Sequence, residues 1–389
     1  MTERYDVVVV GLGALGAATL QQLARRGQKV LGLERFEIGH RRGASHDTSR
    51  ILRHSYHTPA YVRLTEEAYD DWARLEEWSG ETLVTVVGGL DLFPPDPGIP
   101  IEDYTSSLDA VGIDYSLLDA AEVMGRWPQF ALDAGTVGLW QSRGAIVPAG
   151  PGTALMLALA HQQEAVIRGE ARVLSLRDTG SGVEVVTDQA TYVADSVVVA
   201  ADAWTNEVLG SLDVSIPLET TLEQATYFAP PTPGGFAPDR MPLWIWMDDP
   251  CYYGFPLYGE PTVKAAQDVG GPIIDVSDPF SRTSEPDPDM LSRLAGHMAR
   301  MLPGSGPPVR SVRCQYTLTP DRDFVASSVP GHPSVVVGLG AAHGFKFAPT
   351  FGRILADLAL DGSTTSDVAA FAMDRPALTD PGYEAHWLV

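Results

Sequence analysis

Two stretches of this chain carry groups suited to a phosphate-bearing ligand. The first is Gly11-Leu12-Gly13-Ala14-Leu15-Gly16, followed further on by Glu34. At this spacing Gly11 allows a sharp turn, Gly13 a close main-chain approach to a pyrophosphate, and Gly16 tight packing of a helix on a strand. A helix starting there would aim its free N–H groups and the positive end of its dipole at the phosphates. Glu34 would accept hydrogen bonds from ribose hydroxyls. The second stretch, Gly39 to His54, holds Arg41, Arg42, Arg50 and Arg53 together with His46, Asp47 and His54. It is either a solvated basic loop or an anion site facing a cofactor or a substrate carboxylate, and residue chemistry alone leaves both open.

The elements that must position these groups follow from periodicity. Asp6-Val7-Val8-Val9-Val10 reads as a buried parallel strand, Ala17 to Arg26 as a helix ended by Gly27, and Val30 to Glu34 as a second strand. Strand, glycine turn, helix, strand and acid in that order predict a dinucleotide site, without choosing between NAD and FAD. Pro59 to Ser79 reads as an amphipathic helix with Tyr61, Leu64, Ala68, Trp72 and Leu75 on one face. Val173–Leu176, Val183–Val186 and Thr191–Val193 suggest a β-meander, and Ser196–Ala201 a buried strand returning to the first domain. Residues 127–140 read as irregular. From Glu219 to Pro272, aromatic strands alternating with prolines predict an antiparallel sheet in a second lobe, with Trp244, Trp246, Tyr252 and Tyr253 on its inward face, and Met290 to Met301 reads as a helix and Val309–Thr317 as a strand. Gly338-Leu339-Gly340 before the last helix, Pro349 to Leu360, is a second cradle for a cofactor or anion.

The chain has 389 residues, enough for two lobes, and a net charge of −23, which argues against nucleic acid or an anionic membrane as a partner. Cys251 and Cys314 are the only cysteines, too few for a disulfide framework or a cysteine zinc site. Neither a signal peptide nor a membrane-length apolar run is expected, so the anticipated setting is reducing and cytoplasmic.

Ser45-His46-Asp47-Thr48-Ser49-Arg50-Ile51-Leu52-Arg53-His54, Tyr252-Tyr253-Gly254-Phe255-Pro256, Lys264, Arg313-Cys314-Gln315-Tyr316 and His343-Gly344-Phe345-Lys346-Phe347, with the N-terminal glycine fingerprint, give a specific combination. On these motifs, over nearly its whole length, the chain resembles the monomeric sarcosine oxidase and N-methyltryptophan oxidase group of FAD-dependent amine oxidases. The resemblance implies an α/β plus antiparallel β fold. A Rossmann-like FAD-binding domain (1–85, 145–215 and 318–389) would be joined to a mainly antiparallel substrate domain (86–144 and 216–317). It also implies a monomer, a small amino-acid substrate, oxygen as acceptor, and FAD attached through Cys314.

Residue by residue, the resemblance gives the substrate carboxylate to Arg53 and Lys346 and the flavin surroundings to Arg50 and His46. Lys264 would promote the reaction with oxygen, while Tyr253, Tyr316 and Trp246 would line the substrate cavity. Gly11, Gly13, Gly16, Glu34, Gly340, His343, Gly344 and Lys346 would contact the cofactor. Taken alone, Lys264 reads as a strand lysine reaching solvent and Cys314 as one buried thiol among many. Asp268, where sarcosine-type members carry a histidine, is expected to meet a second cationic or N–H group on the substrate. Asp202 stands where a glycine is common. The activity implied is oxidation of a secondary-amine amino acid, with a cyclic imino acid oxidase or a flavin dehydrogenase using another acceptor as alternatives.

Overall fold

The computed structural model describes residues 3–278 and 280–386. The opening strand, Glu3–Val10, sits inside an eight-stranded sheet, with Val7 to Val10 all buried. It pairs in parallel with Val30–Leu33 on one side and Thr191–Val199 on the other. Such two-sided burial is what a continuous valine run favours. Thr191–Val199 is one strand rather than the two shorter pieces expected. Its first half closes an antiparallel meander with Val173–Asp178 and Val183–Thr187, and its second half pairs in parallel with His332–Leu339. The strand Val325–Val329 continues the sheet beyond His332–Leu339.

The helix Ala14–Arg25 leaves the first strand at Gly13, which has no side chain to cap it. It packs beside the helix Ala348–Asp361, where a β-carbon at Gly352 would lie 2.6 Å from the Ala18 carbonyl carbon. The helix Pro59–Ser79 forms over the predicted span. Thr58 caps it, proline occupies its first turn, and Gly80 ends it in the left-handed conformation. Trp72, fully buried on its inner face, donates from Nε1 to the Lys346 carbonyl at 2.7 Å. That bond ties the His343–Phe347 turn to the helix, and truncating Trp72 to alanine would cost about 3–5 kcal/mol.

The second large sheet runs Pro308–Leu318, Glu219–Phe228, Val263–Gln267, Tyr252–Phe255, Leu243–Trp246, Gly89–Phe93, Val137–Gln141 and Ser116–Asp119. It is antiparallel except where Leu243–Trp246 lies parallel to Gly89–Phe93. Val137–Gln141, expected to be irregular, is a strand because its neighbours on both sides supply hydrogen bonds. The strand period of two divides the side chains of this sheet into two faces. Tyr253, Phe255, Lys264, Cys314 and Tyr316 share one face, as their register shows. Trp244, Trp246 and Tyr252 share the other, against His297 of the helix Pro288–Met301. A three-stranded sheet, Ser49–Leu52, Ala145–Pro148 and Thr85–Val86, holds the basic segment in place. Among the described residues no helix is long and apolar enough to cross a membrane.

Candidate active site

A cavity of about 750 Å³ opens between the first strand and the two sheets, lined by Gly11, Gly13, Glu34, Ser45, Asp202 and Tyr316 among others. That lies in the upper part of the range for cofactor sites, roughly 300–1,000 Å³. Gly11 has a φ of 88°, and a β-carbon there would lie 2.5 Å from the Ala200 carbonyl oxygen. A β-carbon at Gly16 would lie 1.8 Å from the Gly11 carbonyl oxygen, so Gly16 packs the helix on the turn without itself lining the cavity. Ala14 N–H donates to Ser45 Oγ at 2.9 Å.

The Glu34 carboxylate accepts from the Leu12 and Phe36 N–H groups at 2.9 and 3.1 Å, with His40 Nε2 at 3.3 Å. Burial pushes its pKa up, but His40 and the two N–H groups outweigh burial and hold it below the usual carboxylate value. A helix N-terminus, a glycine cradle and an ionised acid fit the adenosine and pyrophosphate of FAD. Gly340, Gly344 and Phe345 line the same cavity.

Where the two sheets meet, the cavity adjoins a small void of about 20 Å³ bordered by Asp47, Arg50, Tyr253, Lys264, Cys314 and Tyr316. It has room for about one water. Lys264 Nζ is 2.6 Å from Asp47 Oδ2 and donates to the Ser49 carbonyl at 3.1 Å. Burial and the Arg50 charge push its ammonium pKa down to about 8, against the pull of Asp47. Arg50 donates to the carbonyls of Ser49, Ala44 and His46 at 2.8, 2.8 and 3.0 Å, which fixes its guanidinium at the cavity wall. Burial raises the Cys314 thiol pKa, while Arg50 and Lys264 work to lower it. His46 borders the large cavity, and burial with Arg50 holds its imidazole down to about 4.

Behind this wall lies a second set of buried polar groups. Lys346 Nζ donates to Tyr56 Oη at 2.8 Å and to the His343 carbonyl at 3.0 Å. His343 Nε2 lies 3.0 Å from the Arg322 carbonyl, so it carries the proton, and Nδ1 accepts from Tyr56 Oη at 3.2 Å. Burial pushes Lys346 well below its ordinary value, and the Arg53 and Arg322 charges push the same way. Arg53 Nη1 is 2.9 Å from Asp91 Oδ1 in a pair with almost no solvent exposure. The Tyr253 and Tyr316 hydroxyls are 3.4 Å apart.

The structure thus brings Lys264, Arg50, Cys314, Tyr253 and Tyr316 together around the void, with His46 on the adjoining cavity wall. The placements of Trp246, His343 and Lys346 differ from the sequence expectation. Trp246 faces His297, with ring centroids 5.4 Å apart, because it shares the strand face of Trp244 rather than that of Tyr253. Asp268 pairs with Arg322 Nη2 at 2.8 Å. His343 and the Lys346 ammonium belong to the Tyr56 network and do not border the large cavity.

Asp47, Tyr56, Asp91 and Arg322 were not expected at the site. Asp47 lay inside the quoted motif, and the Lys264 it meets is distant in sequence. Asp91 lies on the strand Gly89–Phe93, and no sequence reading singled out Arg322. Asp202, with a φ of 49°, borders the large cavity and accepts from Gln315 Nε2 at 3.1 Å.

Residues 6–358 match the FAD dependent oxidoreductase family. The chain is 34% identical to the monomeric sarcosine oxidase of Streptomyces avermitilis, over 97% of this chain and 99% of that one. It is 30% identical to the human peroxisomal sarcosine oxidase, over 95% and 96%. Its fold matches NikD, an unusual amino acid oxidase essential for nikkomycin biosynthesis, with a TM-score of 0.84 and 30% identity over 95% of this chain and 98% of that one. The chain belongs to the FAD dependent oxidoreductase family. Within that family its relatives place it with the sarcosine oxidases.

Proposed function

We propose that this protein oxidises the C–N bond of amino acids bearing a secondary amine, using oxygen as acceptor and FAD attached through Cys314. The observation that carries this reading is Lys264, a cation buried on the Cys314 face of the second sheet and bordering the same small void. FAD, when bound, supplies the redox chemistry, taking two electrons from the amine and passing them to oxygen to give hydrogen peroxide. The protein supplies binding and electrostatics. Gly11, Gly13 and Glu34 would hold the adenosine end, and Arg50 and His46 would stand beside the ring.

Lys346 and Arg53 would hold the substrate carboxylate, Arg53 as a planar donor fork and Lys346 as a point charge. An anion there would oppose the burial and the Arg53 and Arg322 charges that depress Lys346. The same cations favour the neutral form of the substrate amine, whose lone pair assists C–H cleavage. Lys264 would stabilise negative charge developing on oxygen.

A second reading, the cyclic imino acid oxidase left as an alternative by the family resemblance, rests on that resemblance alone. Peroxide formation under air with sarcosine, longer N-methyl amino acids and pipecolate tests both readings. Turnover of N-methyl amino acids with stoichiometric peroxide supports the first, and turnover of pipecolate alone supports the second. Turnover only with an added dye acceptor contradicts the oxidase assignment.

A further inference from the structure

Lys264 is held by one carboxylate at close range. Asp47 Oδ2 stands 2.6 Å from its ammonium, and both side chains are buried. The other carboxylate oxygen, Oδ1, accepts from Tyr227 Oη at 2.5 Å, and that hydroxyl is also 2.9 Å from Thr48 Oγ1. The Asp47 backbone has a φ of 82°, the left-handed region that aspartate and asparagine tolerate better than most side chains. Asp47 borders both the large cavity and the small void beside Cys314.

We propose that Asp47 is the positioning residue that keeps the Lys264 ammonium charged and fixed at the Cys314 end of the cofactor cavity. The proposal rests on the reading of Lys264 given above. The groups facing Lys264 leave Asp47 as its counter-charge. Arg50 faces it from the strand Ser49–Leu52 and opposes its charge, and the Cys314 thiol faces it from Pro308–Leu318. Tyr227 lies alongside on Glu219–Phe228, with the Arg310 guanidinium 3.4 Å from its ring and Glu260 paired to Arg310. Glu223 pairs across the strands with Cys314.

Burial raises the pKa of Asp47, but Lys264 and Tyr227 outweigh it and hold the carboxyl down to about 2, so it stays anionic across the working range. Lys264 stands at about 8 with that anion present. Removing the charge lowers the value further, and near neutral pH the amine becomes neutral.

The test uses flavin-loaded protein, wild type against Asp47→Asn, Lys264→Met and Tyr227→Phe. Asparagine suits the left-handed backbone and can still bond to Tyr227 while removing the charge. Each protein is photoreduced anaerobically and mixed with oxygen between pH 6 and 9.5. The pH-dependent visible spectrum of the oxidised form is recorded in parallel. At pH 9, above both pKa values, Asp47→Asn should reoxidise about tenfold more slowly than wild type, one unit of pKa being about tenfold in charged fraction there, and should recover as the pH falls. A spectral transition missing from Lys264→Met should move down by about one pH unit or more in Asp47→Asn. Tyr227→Phe keeps the charge and should stay within about threefold of wild type.

Reoxidation of Asp47→Asn at the wild-type rate at every pH, with the transition unmoved and Lys264→Met slow, overturns the proposal alone. So does a Tyr227→Phe defect as large as that of Asp47→Asn, which would make packing rather than charge the cause. A Lys264→Met protein that reoxidises normally overturns the reading of Lys264 itself. The spectral transition needs no oxygen, and its shift still reports whether Asp47 holds the lysine charged.

Discussion

At the Gly11 end of the cavity most of the groups offered to a ligand are main-chain ones, with Glu34 and Ser45 fixed against the backbone N–H groups of Leu12 and Ala14. At the Lys264 end the groups are side chains, and nearly all are already bonded to one another: Lys264 to Asp47, Arg53 to Asp91, Asp268 to Arg322, Lys346 to Tyr56. The first end presents backbone that tolerates no β-carbon at Gly11 or Gly16. The second sets charge and protonation inside a buried interior, where removing one member of a pair leaves the other exposed to the full cost of desolvation. Substitutions at the first end should therefore abolish cofactor binding, and substitutions at the second should leave the cofactor in place and alter stability or chemistry.

The largest effect should come from Gly16→Ala, whose β-carbon would lie 1.8 Å from the Gly11 carbonyl oxygen. Flavin content of the purified protein, read from visible against ultraviolet absorbance, should fall by about tenfold or more, since only glycine fits this helix–strand contact. Normal flavin content in that variant would break the contrast between the two ends.

Asp91→Ala should cost about 3–5 kcal/mol in urea unfolding, because it strands a buried guanidinium, while flavin content is retained in the protein that folds. Tyr56→Phe takes a partner from both Lys346 and His343. It should destabilise by about 1–3 kcal/mol and raise KM more than it lowers kcat, with an unchanged flavin spectrum.

Stability should also fall in acid. Burial depresses His46, His54 and His297 from the ordinary 6.5 to about 4, so the unfolded chain takes up protons first. Their contribution is unaffected above pH 6.5, declines as the pH falls towards 4, and levels off below that; urea midpoints across this window check the sign. Trp246→Phe, on the face away from Lys264, should change KM by less than about twofold, within the range of surface-side packing changes.

The same contrast explains what the sequence made legible. The strand–turn–helix around Gly11 is local, so spacing alone located its glycines, and the span Pro59–Ser79 was fixed by its cap, its apolar stripe and Gly80. The antiparallel sheet was legible as aromatic strands, but its faces were not. Placing Trp246 with Tyr253 overlooked that Tyr252 and Tyr253 must point to opposite sides. Val137–Gln141 was missed because a strand carrying Gly138 has weak propensity of its own and depends on partners far away in the chain. Pairs such as Lys264 with Asp47 or Asp268 with Arg322 join residues distant in sequence, so no local pattern announced them. Family likeness singled out Lys264 and Asp268 and gave no role to Asp47 or Arg322.

The most direct test of the account is the visible spectrum of the purified protein before and after acid precipitation. The account predicts a yellow native protein whose pellet stays yellow, and a Cys314→Ser variant whose flavin passes into the supernatant. A colourless native protein, or a Cys314→Ser pellet that keeps its flavin, would contradict it.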